Sequence, residues 1–161
     1  MEHIFEPVFN QNSRVLILGT FPSVKSREMG FYYSHPQNRF WKVIAKLTES
    51  EIPITIEGKK ELLLEKGIAL WDVIKSCDIE GSSDSSIKNV VPTVLSVILE
   101  HTDMNQSYAN GGKAYELYMK YSRETTGRGI VKLPSTSPAN ARFTLDKLLE
   151  QWRVIKHECN M

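Results

Sequence analysis

Residues 18–41 concentrate side chains whose types suit the binding of a flat, polar ligand. They follow a short apolar run, residues 15–18, that is typical of a buried strand. The aromatic and polar groups of the stretch are Phe21, Phe31, Tyr32, Tyr33, His35 and Asn38. Loops longer than roughly 12 to 15 residues are usually functional or disordered, and this one is too aromatic for disorder. The stretch therefore predicts one wall of a pocket beyond the carboxyl end of the first strand.

Asp72 is the second residue whose position predicts chemistry. It is the lone charge in the apolar run of residues 68–74, and burying a carboxylate without a partner costs several kcal/mol. A ligand that offers an N–H donor would satisfy it. So would a purely structural partner, such as a helix N-terminus or a Lys or Arg side chain, and both interpretations remain open.

The elements that must position these residues alternate between strands and helices. Strands are expected over residues 14–20, 68–74, 104–109 and 128–133. Helices are expected over residues 38–47, 56–66, 92–101, 113–121 and 139–152, with a polar loop over residues 75–86. This alternation predicts an α/β fold: a single domain over residues 1–161, with a central four-stranded, mainly parallel sheet and helices on both faces.

Parallel strands place all their carboxyl ends at one edge of a sheet, so the four strand-to-helix loops should converge there. These loops carry Phe21-Pro22-Ser23 with Asn38, Asp72 with the serine-rich segment after it, Asn110-Gly111-Gly112, and Ser135-Thr136-Ser137. The spacing therefore predicts a polar cleft at one edge of the sheet, with aromatic residues on one side.

Composition narrows the class of protein. With 161 residues, 41% of them hydrophobic, the chain has the size of one domain, and a net charge of +1 means that DNA binding would need a local patch. We find no signal peptide and no apolar run of membrane-spanning length. Cys77 and Cys159 lie far apart and lack metal-binding spacing. We therefore expect a cytoplasmic protein without a disulfide framework or a cysteine metal site.

Four motifs give the chain a family resemblance. They read LGTFPS at residues 18–23, YSHPQNRFW at 33–41, LWDV at 70–73 and LPSTSPAN at 133–140. The GTFPS motif alone is weak evidence for a family, but HPxNxFW followed by LPSTSPANA is strong joint evidence. Over residues 14–152 the chain resembles the uracil-DNA glycosylase superfamily and, more narrowly, its hypoxanthine-DNA (deoxyinosine) glycosylase branch.

The resemblance implies a monofunctional enzyme of base excision repair. It would hydrolyse the N-glycosidic bond of a deaminated base in DNA, preferably hypoxanthine, as a monomer without metal or cofactor. A broader range that includes uracil or xanthine stays open, as does a catalytically silent DNA-binding module of the same fold.

The same resemblance assigns catalysis to Asn38 and His35. Many relatives carry Asp or Asn just before the proline of the first motif, where this chain has Phe21. The Asn38 side-chain oxygen would then orient the hydrolytic water, and His35 would stabilise the departing base. The alternatives are that Asn38 caps the helix expected to follow it, and that His35 belongs to a turn.

The remaining site residues fall into two groups. Those expected to hold the base and sugar are Gly19, Thr20, Phe21, Pro22, Ser23, Tyr33, Asp72, Asn110 and Gly111. Those expected to contact DNA are Ser135, Thr136, Ser137, Pro138, Asn140 and Lys113. The alternatives are core packing for the aromatic residues, tight turns for the glycines, a helix cap for Ser137 and solvated surface for Lys113.

The closing loop begins with serine where many uracil-specific relatives have histidine, which argues against ordinary uracil excision.

Overall fold

A computed structural model of the chain describes residues 1–159. Its strands are β1 (Val15–Gly19), β2 (Ile68–Asp72), β3 (Ile74–Asp78), β4 (Lys88–Pro92), β5 (Gln106–Asn110) and β6 (Val131–Leu133). Its helices are α1 (Val24–Met29), α2 (Phe40–Leu47), α3 (Ile56–Glu65), α4 (Ser96–Leu99), α5 (Gly112–Tyr121), α6 (Arg123–Thr126) and α7 (Leu145–Trp152). Short 3₁₀ turns cover Asp84–Ser86 and Arg153–His157.

The central sheet has the strand order β2-β1-β5-β6, and every neighbouring pair is parallel. Strand β1 is buried along its whole length, which explains its unbroken aliphatic sequence. The predicted α/β fold with a four-stranded parallel sheet is therefore confirmed. All four strands end at one edge, and the loops that follow them meet there.

Helices cover both faces of the sheet, also as predicted. Val15 and Ile17 of β1 belong to a core cluster that includes buried residues of α2, α3 and α7. Leu16 and Leu18 belong to a second cluster that includes residues of α4 and α5. This split follows from the strand itself, because successive side chains point to opposite faces.

The predicted loop between β1 and α2 contains a helix, α1. The Ser23 side chain accepts a hydrogen bond from the Ser26 N–H at 3.1 Å and caps its start. Gly30, with φ +82°, ends it in the left-handed conformation that favours glycine. The serine cap and the glycine stop were both present in the sequence, but the aromatic composition outweighed them in the prediction.

The largest error lies after β2, where the predicted strand continued to residue 74 and a polar loop and a helix from Pro92 were expected. Instead β2 ends at Asp72, and β3 and β4 form an antiparallel hairpin. Ile74 and Cys77 are buried while Lys75 and Asp78 are exposed. The two buried residues are three positions apart, which fits the register shifts along β3 and not the strict alternation of a regular strand. Pro92 ends β4 opposite Ile74, and the helix after it is only α4.

Several other bounds also move. The strand expected over residues 104–109 begins at Gln106, the strand expected over 128–133 begins at Val131, and the last helix begins at Leu145 instead of residue 139. Thr144 caps that last helix by accepting a hydrogen bond from Lys147 N–H. Ser137 is therefore not its cap.

Within residues 1–159, the helices are all too short or too polar to cross a membrane. Both cysteines are free thiols, Cys77 buried and Cys159 half-buried. The same residues contain no group of three or more His, Cys, Asp or Glu side chains arranged to hold a metal ion.

Candidate active site

A cavity of about 390 Å³ opens at the carboxyl edge of the parallel sheet. Its volume lies in the range of roughly 300–1,000 Å³ that is typical of small-ligand pockets. The carboxyl ends of the parallel strands, or the loops that follow them, contribute to its wall for all four strands, as the convergence of strand ends predicted. The predicted site residues that line it are Gly19, Thr20, Phe21, Pro22, Ser23, Tyr33, Asn38, Asp72, Asn110, Ser135, Thr136 and Ser137.

The other predicted site residues lie outside the lining. His35 forms a turn, in which its Nδ1 accepts a hydrogen bond from Gln37 N–H at 3.1 Å. Gly111 supports the wall from behind: it has φ +98°, and a Cβ there would lie 3.0 Å from Ser135 Cβ. The lining does not include Pro138, Asn140 or Lys113, although the first two adjoin the lining residue Ala139 in sequence. Their roles remain predictions.

Asn38 stands at the N-terminal end of α2 and is fixed by two hydrogen bonds to one atom. Its Oδ1 accepts from Phe40 N–H at 2.9 Å and from the Thr136 hydroxyl at 2.8 Å. Thr136, which is fully buried, in turn exchanges hydrogen bonds with the Asn110 side chain through its Oγ1 and its N–H. This chain of hydrogen bonds, the Asn38–Thr136–Asn110 network, ties together the ends of β5, β6 and the start of α2.

These hydrogen bonds bear on both the capping and the catalytic interpretation of Asn38. Its Oδ1 has both lone pairs engaged, since a carbonyl oxygen carries two. Its Nδ2 makes no hydrogen bond to any other described residue and is not among the buried polar atoms. The amide therefore presents its N–H donors, and not its oxygen, for a new partner in the cavity.

Gly19 and Asp72 form the opposite wall. They are register partners on the adjacent strands β1 and β2. A Cβ on Gly19 would lie 2.5 Å from Asp72 Oδ1 and 2.6 Å from the Tyr33 hydroxyl oxygen. Only glycine leaves room for both oxygens, because real Cβ atoms do not approach other atoms so closely. The missing side chain at Gly19 is thus a requirement of the site.

Tyr33 carries two features that are unusual for a tyrosine. Its backbone has φ +53°, a left-handed conformation that is uncommon for bulky residues and is found at functional sites. Its hydroxyl is buried and makes no hydrogen bond to another described residue. Burial and then the Asp72 carboxylate raise the pKa of this hydroxyl above its ordinary value, against a smaller lowering by the Asn110 side chain. The group therefore remains a protonated donor in the cavity wall.

The aromatic residues divide between the core and the cavity. Tyr33 stacks on the buried Phe40 ring at 4.2 Å between centroids, so one of its faces belongs to the core. Phe21 is only partly buried, and its ring packs on the opposite core cluster while lining the cavity. Both the packing and the ligand interpretation of these residues are compatible with their positions.

The partner of Asp72 is His3, which the sequence did not suggest. Asp72 is buried, and its Oδ2 lies 2.8 Å from His3 Nε2. The structural alternatives considered for Asp72, a helix N-terminus or a Lys or Arg, are therefore both wrong. No local signal could have identified His3, because 69 positions separate the two residues.

The loop after β6 is held in place from α2. The Arg39 guanidinium donates to the backbone carbonyl oxygens of Ser137, Asn140 and Phe143. Asn140 Nδ2 donates to Ser135 O at 3.0 Å within the same loop. The Arg39 guanidinium is thus engaged with backbone carbonyl oxygens, which hold the loop in one conformation.

The tip of the β3–β4 hairpin carries the serine-rich segment that was expected at the cleft, although no site role was assigned to its residues. Its lining residues are Ile79, Ser82, Ser83, Asp84 and Ser85. Ser82 Oγ accepts a hydrogen bond from Val24 N–H at 2.9 Å, which joins the tip to α1. Desolvation raises the pKa of the Asp84 carboxyl, and the positive charge of Lys113 opposes this effect. Lys113 therefore lies close to the hairpin side of the opening.

Comparisons with known proteins agree with the fold and the motifs. The sequence model of the uracil DNA glycosylase superfamily matches residues 6–156. A hypoxanthine DNA glycosylase from Methanosarcina acetivorans is 34% identical over 157 residues, which cover 95% of this chain and 97% of that protein. One from Methanosarcina barkeri is 36% identical over 86 residues, 53% of this chain and 54% of that one.

A solved structure is similar over nearly the whole chain. It is the solution NMR structure of a protein described as a candidate uracil DNA glycosylase from Methanosarcina acetivorans. The two chains are 32% identical, superpose with a TM-score of 0.82, and each is covered over 97% of its length.

Proposed function

Because this chain belongs to the uracil DNA glycosylase superfamily, we propose that it is a DNA glycosylase that hydrolyses the N-glycosidic bond of hypoxanthine. The observation that carries the proposal is the cavity itself, in which the amide of Asn38 and the carboxylate of Asp72 line one space. One relative that aligns with most of this chain and another that aligns with about half of it are both named hypoxanthine DNA glycosylase. The base is too deeply placed in duplex DNA to react there, so it must be extruded into the cavity.

Asn38 orients the water in this proposal. Cleavage of a glycosidic bond passes through an oxocarbenium-like sugar, so the water needs positioning more than a strong base. With Oδ1 engaged by Phe40 and Thr136, the free Nδ2 donates to the water oxygen and leaves its second lone pair for C1′ of the sugar. As the new C–O bond forms, the C1′–N9 bond electrons leave with the purine, and the water proton passes to solvent or to the departing base.

Asp72 recognises hypoxanthine in this proposal. Hypoxanthine carries an N1–H donor on its Watson–Crick edge, whereas adenine, from which it arises by deamination, has a lone pair at N1. Asp72 Oδ2 is bound to His3, and Oδ1 faces Gly19. A carboxylate that presents Oδ1 accepts the N1–H of hypoxanthine and repels the N1 of adenine.

Phe21 and the loop of residues 134–143 have supporting roles. Phe21 lines the cavity and offers a ring for stacking, which contributes roughly 1 to 3 kcal/mol per base. The loop, braced by Arg39, enters the minor groove and offsets the extrusion cost of a few kcal/mol. Lys113 and Asn140 contact the backbone in this arrangement, and His35 remains a proposed donor to the leaving base.

An assay of base release tests the proposal. Duplex oligonucleotides with a single deoxyinosine, deoxyuridine or deoxyxanthosine are incubated with the protein and then treated with alkali, which cleaves the strand at abasic sites. We expect cleavage of the deoxyinosine strand to be fastest. Release from no substrate, with duplex binding retained, would favour a silent DNA-binding module instead.

Three further points belong to the same proposal. The reaction is the first step of base excision repair, the site of action is the cytoplasm, and the enzyme acts as a monomer. The two free thiols support the reducing compartment. Sedimentation velocity with and without a deoxyinosine duplex measures the oligomeric state, and a dimer in either sample would contradict the monomer.

A further inference from the structure

The first five residues lie outside the part of the chain that the family model matches, which starts at residue 6, and they contact the cavity wall from behind. Glu2 pairs antiparallel with Ser76, and the His3 N–H donates to Lys75 O at 2.8 Å. The segment thus lies along β3, joined to it by an isolated bridge and by backbone hydrogen bonds. This pairing places the His3 side chain against the end of β2.

The His3 ring is oriented by hydrogen bonds at both nitrogens. Phe5 N–H donates to Nδ1 at 3.2 Å, so Nδ1 is the acceptor. Nε2 then carries the proton and donates it to Asp72 Oδ2 at 2.8 Å. A backbone group therefore selects the tautomer of His3, and that tautomer makes His3 a donor to Asp72.

The ring is also held by aromatic contacts and is nearly inaccessible, with 5% of its side chain exposed. It meets the edges of Phe5 and Phe21 at 5.8 and 5.9 Å between centroids. Phe21 and Asp72 line the cavity, whereas His3 does not. His3 therefore stands behind the wall and contacts both the proposed stacking residue and the proposed base reader.

The two oxygens of Asp72 are consequently unequal. Oδ2 is bound to His3, whereas Oδ1 makes no hydrogen bond to another described residue and remains accessible. A carboxylate with neither oxygen bound could rotate about its terminal torsion, which is broad. The hydrogen bond from His3 removes that freedom.

We infer that His3 is a positioning residue for base recognition: it fixes the Asp72 carboxylate so that Oδ1 accepts the N1–H of the extruded base. The inference rests on the proposed glycosylase function and extends it to a residue outside the matched region. A purely structural His3, which only satisfies a buried charge, would affect all substrates alike.

The test compares two substrates that differ at N1. One duplex contains deoxyinosine and the other contains the deoxynucleoside of unsubstituted purine, which has a lone pair at N1 and no 6-oxo group. The measured quantity is the ratio of single-turnover release rates. His3→Phe keeps the ring contacts but removes the donor, whereas His3→Gln restores an N–H donor at a similar distance from the backbone.

We expect His3→Phe to reduce the ratio about 10-fold, the effect of losing a hydrogen bond to a charged group, while His3→Gln stays close to the wild-type ratio. Asp72→Asn should reduce the ratio as well. The double variant should then be no worse than Asp72→Asn alone, because His3 acts through Asp72. His101→Phe, at an exposed histidine remote from the cavity, is the matched control and should leave the ratio unchanged.

A second readout does not depend on catalysis. Nitrogen-15 correlation spectra of the imidazole should show the Nε2–H tautomer for His3, with a slowly exchanging proton that is lost in Asp72→Ala. A His3→Phe variant that releases hypoxanthine with an unchanged ratio, or a ring protonated at Nδ1 alone, overturns the inference and leaves the proposed function intact. A wild-type protein that releases neither base overturns both.

Discussion

The two walls of the cavity are built on different principles. On one side, the Asn38–Thr136–Asn110 network satisfies its own polar atoms and leaves only an amide N–H group free. On the other side, the wall of Gly19, Tyr33 and Asp72 holds a buried hydroxyl without a partner and a left-handed tyrosine. Buried polar groups are normally paired, so the second wall is incomplete without a ligand.

The difference suggests that one wall positions the water and the other recognises the base. A saturated network is rigid and suits the positioning of one water molecule, because misplacement by 1 Å can cost about 100-fold in rate. An unsaturated wall suits recognition, because a base that pairs its atoms removes the cost of leaving them unpaired. The predictions below separate the two walls, since changes in the first should alter turnover for every base and changes in the second should alter stability or preference.

Asn38→Ala should have the largest effect. It removes the N–H group that holds the water, and we expect single-turnover release of hypoxanthine to fall by about 100-fold or more. Duplex affinity, measured by fluorescence anisotropy, should stay within about 3-fold, because phosphate contacts dominate it. Near-normal turnover would show that the saturated wall does not carry the chemistry.

Gly19→Ala tests the close approach in the opposite wall. The new Cβ would collide with Asp72 Oδ1 and the Tyr33 hydroxyl, and overpacking of this kind typically costs about 1–3 kcal/mol. Urea denaturation measures the loss in free energy of unfolding. Gly129→Ala is the control, because a Cβ there meets nothing within 4 Å. Equal stability of the two variants would contradict the packing described here.

Thr136→Val decides which end of the Asn38 amide acts. It removes one hydrogen bond to Oδ1 and leaves Asn110 Nδ2 short of a partner, so we expect stability to fall by about 1–3 kcal/mol and turnover to fall about 10-fold for every base. If Oδ1 held the water instead, freeing its lone pair would preserve or raise the rate. Thr125→Val, away from the cavity lining, serves as the control.

Tyr33→Phe should have the smallest effect on stability. Removing a buried hydroxyl that lacks a partner should leave the free energy of unfolding unchanged or raise it by up to about 1 kcal/mol. Since the pKa of the hydroxyl is raised above 10.0, it stays protonated at and below that pH. The pH–rate profiles of variant and wild type should therefore run parallel up to pH 10. A descending limb present only in the wild type would contradict this.

Much of the site followed from local sequence. The strand ends placed Phe21, Asp72, Asn110 and Thr136 at one edge, and this convergence holds because parallel strands share a direction. Asn38 was recognised from its motif, and its Oδ1 accepts a hydrogen bond from the first N–H group of α2. The oxygen was expected to orient the water, but Thr136 occupies its second lone pair, so the proposed role passes to the amide N–H group.

The errors have a common cause. In both regions composition decided the prediction: it outweighed the short capping signals of α1, and β3 lacks the regular alternation that would have opposed it. Pro92 was assigned to a helix start although it ends β4, since proline suits both a first helical turn and the end of an edge strand. The local sequence does not distinguish these two positions for Pro92, and only its pairing with Ile74 in the folded chain shows that it ends a strand.

By itself, the sequence determined the parallel sheet, its helix-covered faces and the residues at its edge, because side-chain periodicity and turn formers act over a few neighbouring positions. Only the tertiary structure decided what those residues contact. That His3 binds Asp72 and that Thr136 occupies the Asn38 oxygen depends on the meeting of segments 69 and 98 positions apart. No local pattern encodes such pairs, since they arise from the packing of the whole sheet.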